Sequence, residues 1–189
     1  MEGKRNKAYF AAGCFWGVEE TFRKLEGVTA TAVGYCGGRS EQPSYEEVCT
    51  GRTGHAETVE VAFDPARIGF EQLLEVFWQC HDPTQLNRQG PDVGPQYRTS
   101  LFVSSDEQKK IAQAYIAQLE KARVFRQPIV TEVVSLKDFY PAEDYHQDFA
   151  AKNPTHPYIV FHDAPKVAHL RQAFPELYTT DEKVLKKER

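Results

Sequence analysis

The chain lacks any apolar run near the ~20 residues that a membrane-crossing helix needs, so no membrane partner is expected. It lacks the apolar segment of a secretory signal. Met1 to Lys7 is polar and runs straight into a strand candidate, and a cytoplasmic location is the default expectation. It lacks basic excess: 23 Lys and Arg face 27 Asp and Glu, for a net charge of -4. No nucleic-acid surface is expected from that balance. The short basic pairs Lys4-Arg5 and Lys186-Lys187 read as solvated tails, in segments 1–6 and 178–189. There is no P-loop, no GxSxG and no GxGxxG; Gly34 and the Gly37-Gly38 pair do not reproduce the dinucleotide spacing. No two cysteines have CxxC spacing, and Cys80-His81 has no second pair to complete a zinc site. Nothing after Cys80 is a cysteine.

What remains is a chain of 189 residues, 41% of them hydrophobic, the size of one domain with a sizeable core. It shows no repeat and no linker. Lys7 to Ala12 is a strand candidate, and Phe15 to Leu25 a helix with Val18, Phe22 and Leu25 on one face. Val28 to Tyr35 and Thr58 to Phe63 read as strands. Ile68 to Gln79 reads as a helix, and Thr99 to Val103 as a strand. Ser105 caps a helix to about Arg123, with Gln108 completing a capping box. Ile129 to Leu136 is a fifth strand, Pro141 opens a helix over Ala142 to Ala151, and Lys166 to Phe174 is a last one. Gln89 to Pro95 is a long loop inside the domain.

Strands and helices alternate, so the class is α/β (α+β). The order strand-helix-strand-strand-helix-strand is the ferredoxin-like pattern, a two-layer sandwich with a mixed sheet. That order sends Cys14, Cys36, Glu57 and the segment His81 to Arg98 to one edge of the sheet, where loops gather over a rigid frame.

Cys14 sits at the junction of the first strand and helix, in GCFWG. Free N–H groups and the partial positive charge of a helix N-terminus favour a thiolate. Position alone leaves a buried structural cysteine equally open. Phe15 and Trp16 form an apolar wall beside the sulfur. Glu57, heading the third strand, is a carboxyl group that burial would keep protonated and able to donate near neutral pH. Tyr45 and Tyr97 bring O–H groups to the same edge, and Asp92 could orient a tyrosine, a water or Arg98. Of His55, His81 and His146, His81 is best placed to serve a Cys-His hydrolase.

GCFWG at Gly13 to Gly17 is followed by GYCGG at Gly34 to Gly38 and YEEVCTGRTGHAE at Tyr45 to Glu57. HDPTQLNRQGPDVGPQYRT runs from His81 to Thr99, and AEDYHQDF from Ala142 to Phe149. Together these resemble the peptide methionine sulfoxide reductase family, type A, over most of the chain. The resemblance implies reduction of the S epimer of methionine sulfoxide, free or in proteins, with no metal or organic cofactor. By the same resemblance Cys14 is the nucleophile and Glu57 the acid. Tyr45 and Tyr97 hold the sulfoxide oxygen, Phe15 and Trp16 the methyl group, and Asp92 belongs to the supporting network. The chemistry fits: a sulfoxide sulfur becomes electrophilic once its oxygen is protonated or strongly hydrogen-bonded, and Cys14 then becomes a sulfenic acid.

The chain departs from many members in lacking resolving cysteines near its C-terminus. Cys36, inside GYCGG, is the expected resolver, although its strand and that of Cys14 start roughly 10 Å apart if a third lies between. Cys80 is the runner-up and Cys49 reads as structural. A thioredoxin-type partner would reduce the disulfide; without a resolver, a small thiol or glutaredoxin would attack the sulfenic acid. A monomer is expected. Pro95 stands where a hydroxyl residue is common. The rival readings are a thiol peroxidase, a methionine-reading binding module without catalysis, and a zinc-binding regulator.

Overall fold

A computed structural model describes residues 6–180. Of the expected tails at 1–6 and 178–189, residues 1–5 and 181–189, with both basic pairs, lie outside the described residues. The fold claims part of what was expected as tail. Asn6 opens the first strand, Tyr178 bridges Leu25, and the Thr179 N–H donates to the Lys24 carbonyl at 2.8 Å.

Strand β1 (Asn6–Ala12) leads into helix α1 (Phe15–Arg23), then β2 (Val28–Cys36), a short helix α2 (Tyr45–Cys49) and β3 (Ala56–Phe63). Helix α3 (Phe70–Cys80) is followed by a small hairpin, β4 (Arg88–Gln89) and β5 (Asp92–Val93), inside the expected long loop. Strand β6 (Thr99–Val103), helix α4 (Asp106–Lys121), β7 (Glu132–Ser135) and β8 (Phe139–Pro141) come next, then α5 (Phe149–Lys152) and α6 (Ala164–Ala173).

The six-stranded sheet has the order β7-β6-β1-β3-β2-β8. Its middle four strands, β6-β1-β3-β2, pair antiparallel throughout and reproduce the expected ferredoxin-like order. β7 adds in parallel to β6, and β8 antiparallel to β2. Alternation along each strand divides the sheet into two faces. Phe10, Val33, Tyr35, Val59 and Val61 face the helices and form the main core with Phe22, Leu25, Leu74 and Phe77. Phe10 stacks on Phe22 with ring centroids 4.5 Å apart, a pair that adds ~1 kcal/mol beyond its buried area. The opposite face carries a small cluster of Tyr9, Ala11, Cys36, Ala56 and Phe102.

Ser105 caps α4 as expected, accepting from the Gln108 N–H at 3.1 Å. The return arm of the expected capping box is displaced by one residue. The Gln108 side chain accepts from Ser104 N–H at 3.0 Å and donates to the Lys7 carbonyl. The single helix expected over Ala142 to Ala151 is broken into a 3-10 turn at Asp144–His146 and α5, with Asp148 left-handed between them at φ 57°. Here the side chains win over the helical period. Gln147 acts as a strand residue, accepting from Val33 N–H and donating to Val33 C=O, each at 2.9 Å. The strand expected over Ile129 to Leu136 shrinks to β7, and α6 is entered through a π-helical turn, Ile159–Asp163. Among the described residues no helix is long and apolar enough to cross a membrane.

Candidate active site

The end of β1 turns sharply at Gly13, where φ is +91° and a Cβ would lie 2.8 Å from the Gln89 side chain. Glycine is required there, and the turn delivers Cys14 as the N-cap of α1. β3 lies beside β1, so Glu57 faces the same helix terminus. Its Oε1 accepts from the Phe15 N–H at 3.2 Å, and the residue is 2% exposed. The two reactive groups thus share the free N–H groups of one helix end.

Burial pushes the Glu57 carboxyl up to about 8; the Phe15 N–H opposes this and Asp92 reinforces it. Glu57 is therefore a neutral acid at neutral pH, as its position predicts. Cys14 departs from the expected thiolate. Burial raises its pKa well above the ordinary value, the carboxyl of Glu57 adds to this, and a hydrogen bond from the Trp16 N–H only partly offsets them. The helix terminus is present, but desolvation is the larger effect. At neutral pH Cys14 therefore rests as a thiol.

Tyr45, the first residue of α2, and Tyr97, ending a 3-10 turn at Pro95–Tyr97, both converge on Glu57. Burial raises both phenols, and the nearby Glu57 adds to it, so each keeps its O–H across the working pH range. Pro95 opens that turn at a position proline suits. Asp92 does not engage Arg98, which instead pairs with Glu132 and donates to Pro95 and Gly54 carbonyls. Asp92 accepts a short hydrogen bond from the Tyr158 hydroxyl. Tyr158 was not found by sequence reasoning, since no motif or period links it to a loop 66 positions away. It belongs to the site because the Cys14 thiol is close enough to oppose its ionisation.

The aromatic wall is held by the AEDYHQDF segment. Trp16 stacks on Phe149 at 3.8 Å and 10°, donates its indole N–H to His146 Nδ1 at 3.0 Å, and meets Tyr158 edge-on. Phe15 is 1% exposed, with its ring against Tyr35 and His146. Glu143 accepts from the Tyr35 hydroxyl at 3.1 Å and from the Tyr45 N–H at 3.0 Å, tying α2 to β2. His146 and Glu143 are thus positioning residues for Trp16 and Tyr45.

The other two histidines singled out from the sequence, His81 and His55, serve the frame. His81 is fixed between the Phe77 carbonyl and Thr99 Oγ1, both at 2.7 Å, and its pKa is lowered to about 4 by burial. Its ring nitrogens are occupied, so it does not form the base of a Cys-His pair. His55 holds the Gly38 N–H at 3.0 Å and the Ser40 carbonyl at 2.7 Å.

Cys36 ends β2 at the expected edge, but its side chain lies in the cluster on the face away from the helices. Glu57 and Phe15 belong to the helix side, where Tyr35 pairs with Glu57 across the strands. The expected approach of Cys36 to Cys14 therefore meets the sheet itself, a consequence of side-chain alternation. Cys80 is turned into α3, its thiol donating to the Phe77 carbonyl at 3.3 Å. Cys49 is exposed and lies one helical turn from Tyr45, at the other end of α2.

A thiol at a helix N-terminus, a buried neutral acid and flanking phenols on a ferredoxin-like sheet are the parts of a candidate thiol-based oxidoreductase site. The sequence model of the peptide methionine sulfoxide reductase family matches residues 6–178. A peptide methionine sulfoxide reductase, MsrA 2, of Mesorhizobium japonicum is 55% identical over 173 residues, covering 91% of this chain and 89% of its own. Reduced Mxr1 of Saccharomyces cerevisiae superposes with a TM-score of 0.75 at 36% identity, covering 82% of this chain and 90% of its own. Mxr1 has also been seen in complex with Trx2, where the TM-score is 0.54 at 25% identity, over 79% of this chain and 88% of that one. The chain belongs to the type A peptide methionine sulfoxide reductase family.

Proposed function

We propose that this chain reduces the S epimer of methionine sulfoxide, free or within oxidised proteins, with Cys14 as nucleophile. The observation that carries the assignment is the pairing of a buried, neutral Glu57 with the Cys14 thiol on one helix terminus. Glu57 protonates or strongly hydrogen-bonds the sulfoxide oxygen, and the O–H groups of Tyr45 and Tyr97 take its other lone pairs. This draws electrons from the sulfoxide sulfur. Trp16, aligned by His146 and Phe149, and the buried Phe15 hold the methyl group. Asp92, oriented by Tyr158, supports the loop carrying Tyr97.

The Cys14 sulfur attacks the sulfoxide sulfur. Methionine leaves as a thioether and the oxygen remains on Cys14 as a sulfenic acid, which retains the proton of the original thiol. The first half-reaction therefore takes up no net proton. Because the resting thiol is neutral, attack is coupled to the arrival of an oxygen that accepts hydrogen bonds. A second thiol then displaces the oxygen as water, and a thioredoxin-type dithiol resets the enzyme. The complex between Mxr1 and Trx2 supports that choice of reductant. In this reading the chain works as a cytoplasmic monomer in repair after oxidative stress, without metal or organic cofactor.

A thiol peroxidase would use the same cysteine, but a peroxide has no methyl group for Trp16 and Phe15 to hold. Reduced enzyme given excess S-epimer sulfoxide of a blocked methionine, without reductant, should form about one methionine per chain. Cys14→Ser should form none. Absence of methionine from the parent enzyme, with turnover of hydrogen peroxide, would replace the reductase reading by the peroxidase.

A further inference from the structure

We propose that Cys49 is the second redox thiol of this chain, closing a Cys14–Cys49 disulfide after each sulfoxide is reduced. The inference rests on the reductase reading above. Four thiols are available, and the structure separates them by what they face. Cys36 lies behind the sheet, among Tyr9, Ala56 and Phe102. Cys80 points into α3. Cys49 sits at the far end of the five-residue helix that begins with Tyr45, an i, i+4 spacing that puts the two side chains on one face. Its carbonyl accepts from Gln96 Nε2 at 3.4 Å, which ties it to the turn that presents Tyr97. The Tyr97 phenol lies close enough to both the Cys14 and the Cys49 thiols for each to oppose its ionisation, and Glu57 acts on both cysteines. Two of the three groups that would hold the sulfoxide oxygen, Glu57 and Tyr97, therefore lie near both sulfurs, and the third, Tyr45, shares α2 with Cys49.

The surroundings suit the step. A disulfide needs Cα atoms within about 7 Å, so the segment carrying Cys49 must shift once the oxygen has left its phenols. Helix α2 is short, with Val48 as its buried side chain, and Gly51 and Gly54 follow it in left-handed conformations at φ 73° and 77°. Cys49 is also exposed, so the bond would form where a partner's dithiol can reach it. In the step itself the Cys49 sulfur attacks the Cys14 sulfur of the sulfenic acid. The S–S bond forms, the S–O bond breaks, and the hydroxyl leaves as water with the Cys49 thiol proton. The two electrons withdrawn from the thiol pair are those that reduced the sulfoxide, and an external dithiol returns them.

The test counts methionine formed and thiols lost per full-length chain in a reaction without reductant, then maps the bridge by non-reducing digestion and mass spectrometry. The parent enzyme should form about one methionine, lose two thiols and yield a Cys14–Cys49 peptide pair. Cys49→Ala should still form about one methionine but lose a single thiol, with a sulfenic acid trapped by dimedone at Cys14. Its thioredoxin-driven turnover should fall at least tenfold. Cys36→Ala and Cys80→Ala should each keep the two-thiol loss. A Cys14–Cys36 or Cys14–Cys80 bridge in the parent enzyme, or a single thiol lost there, would overturn the role of Cys49 while leaving the reductase intact. No methionine at all would instead overturn the reductase.

Discussion

Replacing Glu57 by glutamine tests the buried acid on which the mechanism turns. The Glu57 carboxyl rises from 4.5 to about 8 in the fold, with burial as the main cause. Below 4.5 both folded and unfolded chains carry this proton, and it does not affect stability. Between 4.5 and 8 the folded chain keeps a proton that the unfolded chain has released, so stability falls as pH rises, by about 1.4 kcal/mol per pH unit. Above 8 the loss levels off. From about pH 5.5 to about pH 7.5, two units of that slope come to roughly 2.7 kcal/mol. Glutamine keeps the shape and can accept from the Phe15 N–H through its amide oxygen, but does not titrate. Urea unfolding, followed by the fluorescence of Trp16 and Trp78, should show Glu57→Gln more stable than the parent by about 1.4 kcal/mol at the lower pH, about one unit above 4.5. At the higher pH that advantage should have widened by roughly 2–3 kcal/mol, to about 4 kcal/mol. Contributions from Glu19 and Asp163, both buried and raised to about 7, cancel in the difference. Methionine formation by the same variant should fall by about 10²- to 10⁴-fold. Parallel stability curves for parent and variant across this range would refute the reasoning, because Glu57 would then be ionised in the fold and unable to act as the acid.

Cys14 should alkylate slowly with iodoacetamide at neutral pH and faster as pH rises, with no plateau near neutrality; fast, pH-independent alkylation at pH 6 would show a resting thiolate. Asp163 is 1% exposed, neither carboxylate oxygen has a hydrogen-bond partner among the described residues, and Lys166 stands 3.9 Å away. Asp163→Asn should therefore raise stability at neutral pH by about 1–3 kcal/mol, read as an increase in Tm. Gln147→Ala leaves the Val33 N–H without its partner, while the Val33 C=O keeps the Ala142 N–H, and should cost about 1–3 kcal/mol in chemical unfolding. Tyr158→Phe removes the donor to Asp92 and should lower kcat/KM by about tenfold, on the ~1–1.5 kcal/mol that a hydrogen bond contributes; an unchanged value would separate Tyr158 from the site.

The sequence was most legible where a local period or a local motif decided the outcome. Strand β6 falls on the expected residues, and the middle four strands take the expected order, because strand alternation and helix periodicity are properties of short windows. Helix α2 was missed since five residues are too few for a period, although Ser44 and Glu47 form a capping box that signals it. At the site, the strand-to-helix turn led to Cys14 but not to its protonation state, which depends on burial by residues far along the chain. Cys36 was placed at the right edge. Its face was also within reach, because an inward Tyr35 requires an outward Cys36. Tyr158 had no such signal: its tie to Asp92 exists only after the C-terminal segment has folded across the hairpin of β4 and β5.

The carboxamide of Gln147, laid along β2 beyond the end of β8, bears on how the protein behaves in company. A strand that ends a sheet offers unpaired N–H and C=O groups to any extended chain it meets, and such edges are where foreign strands add. On this side the edge is closed first by β8, whose Pro141 has no N–H to offer, and then by a side chain occupying both bonding groups of Val33. On the proposed reading, an enzyme that takes methionine sulfoxide within an oxidised, loosened chain must bind one side chain and let the rest go. Closing the edge leaves such a visitor the thiol pocket to enter and no backbone at Val33 to pair with, so release need not compete with strand addition there.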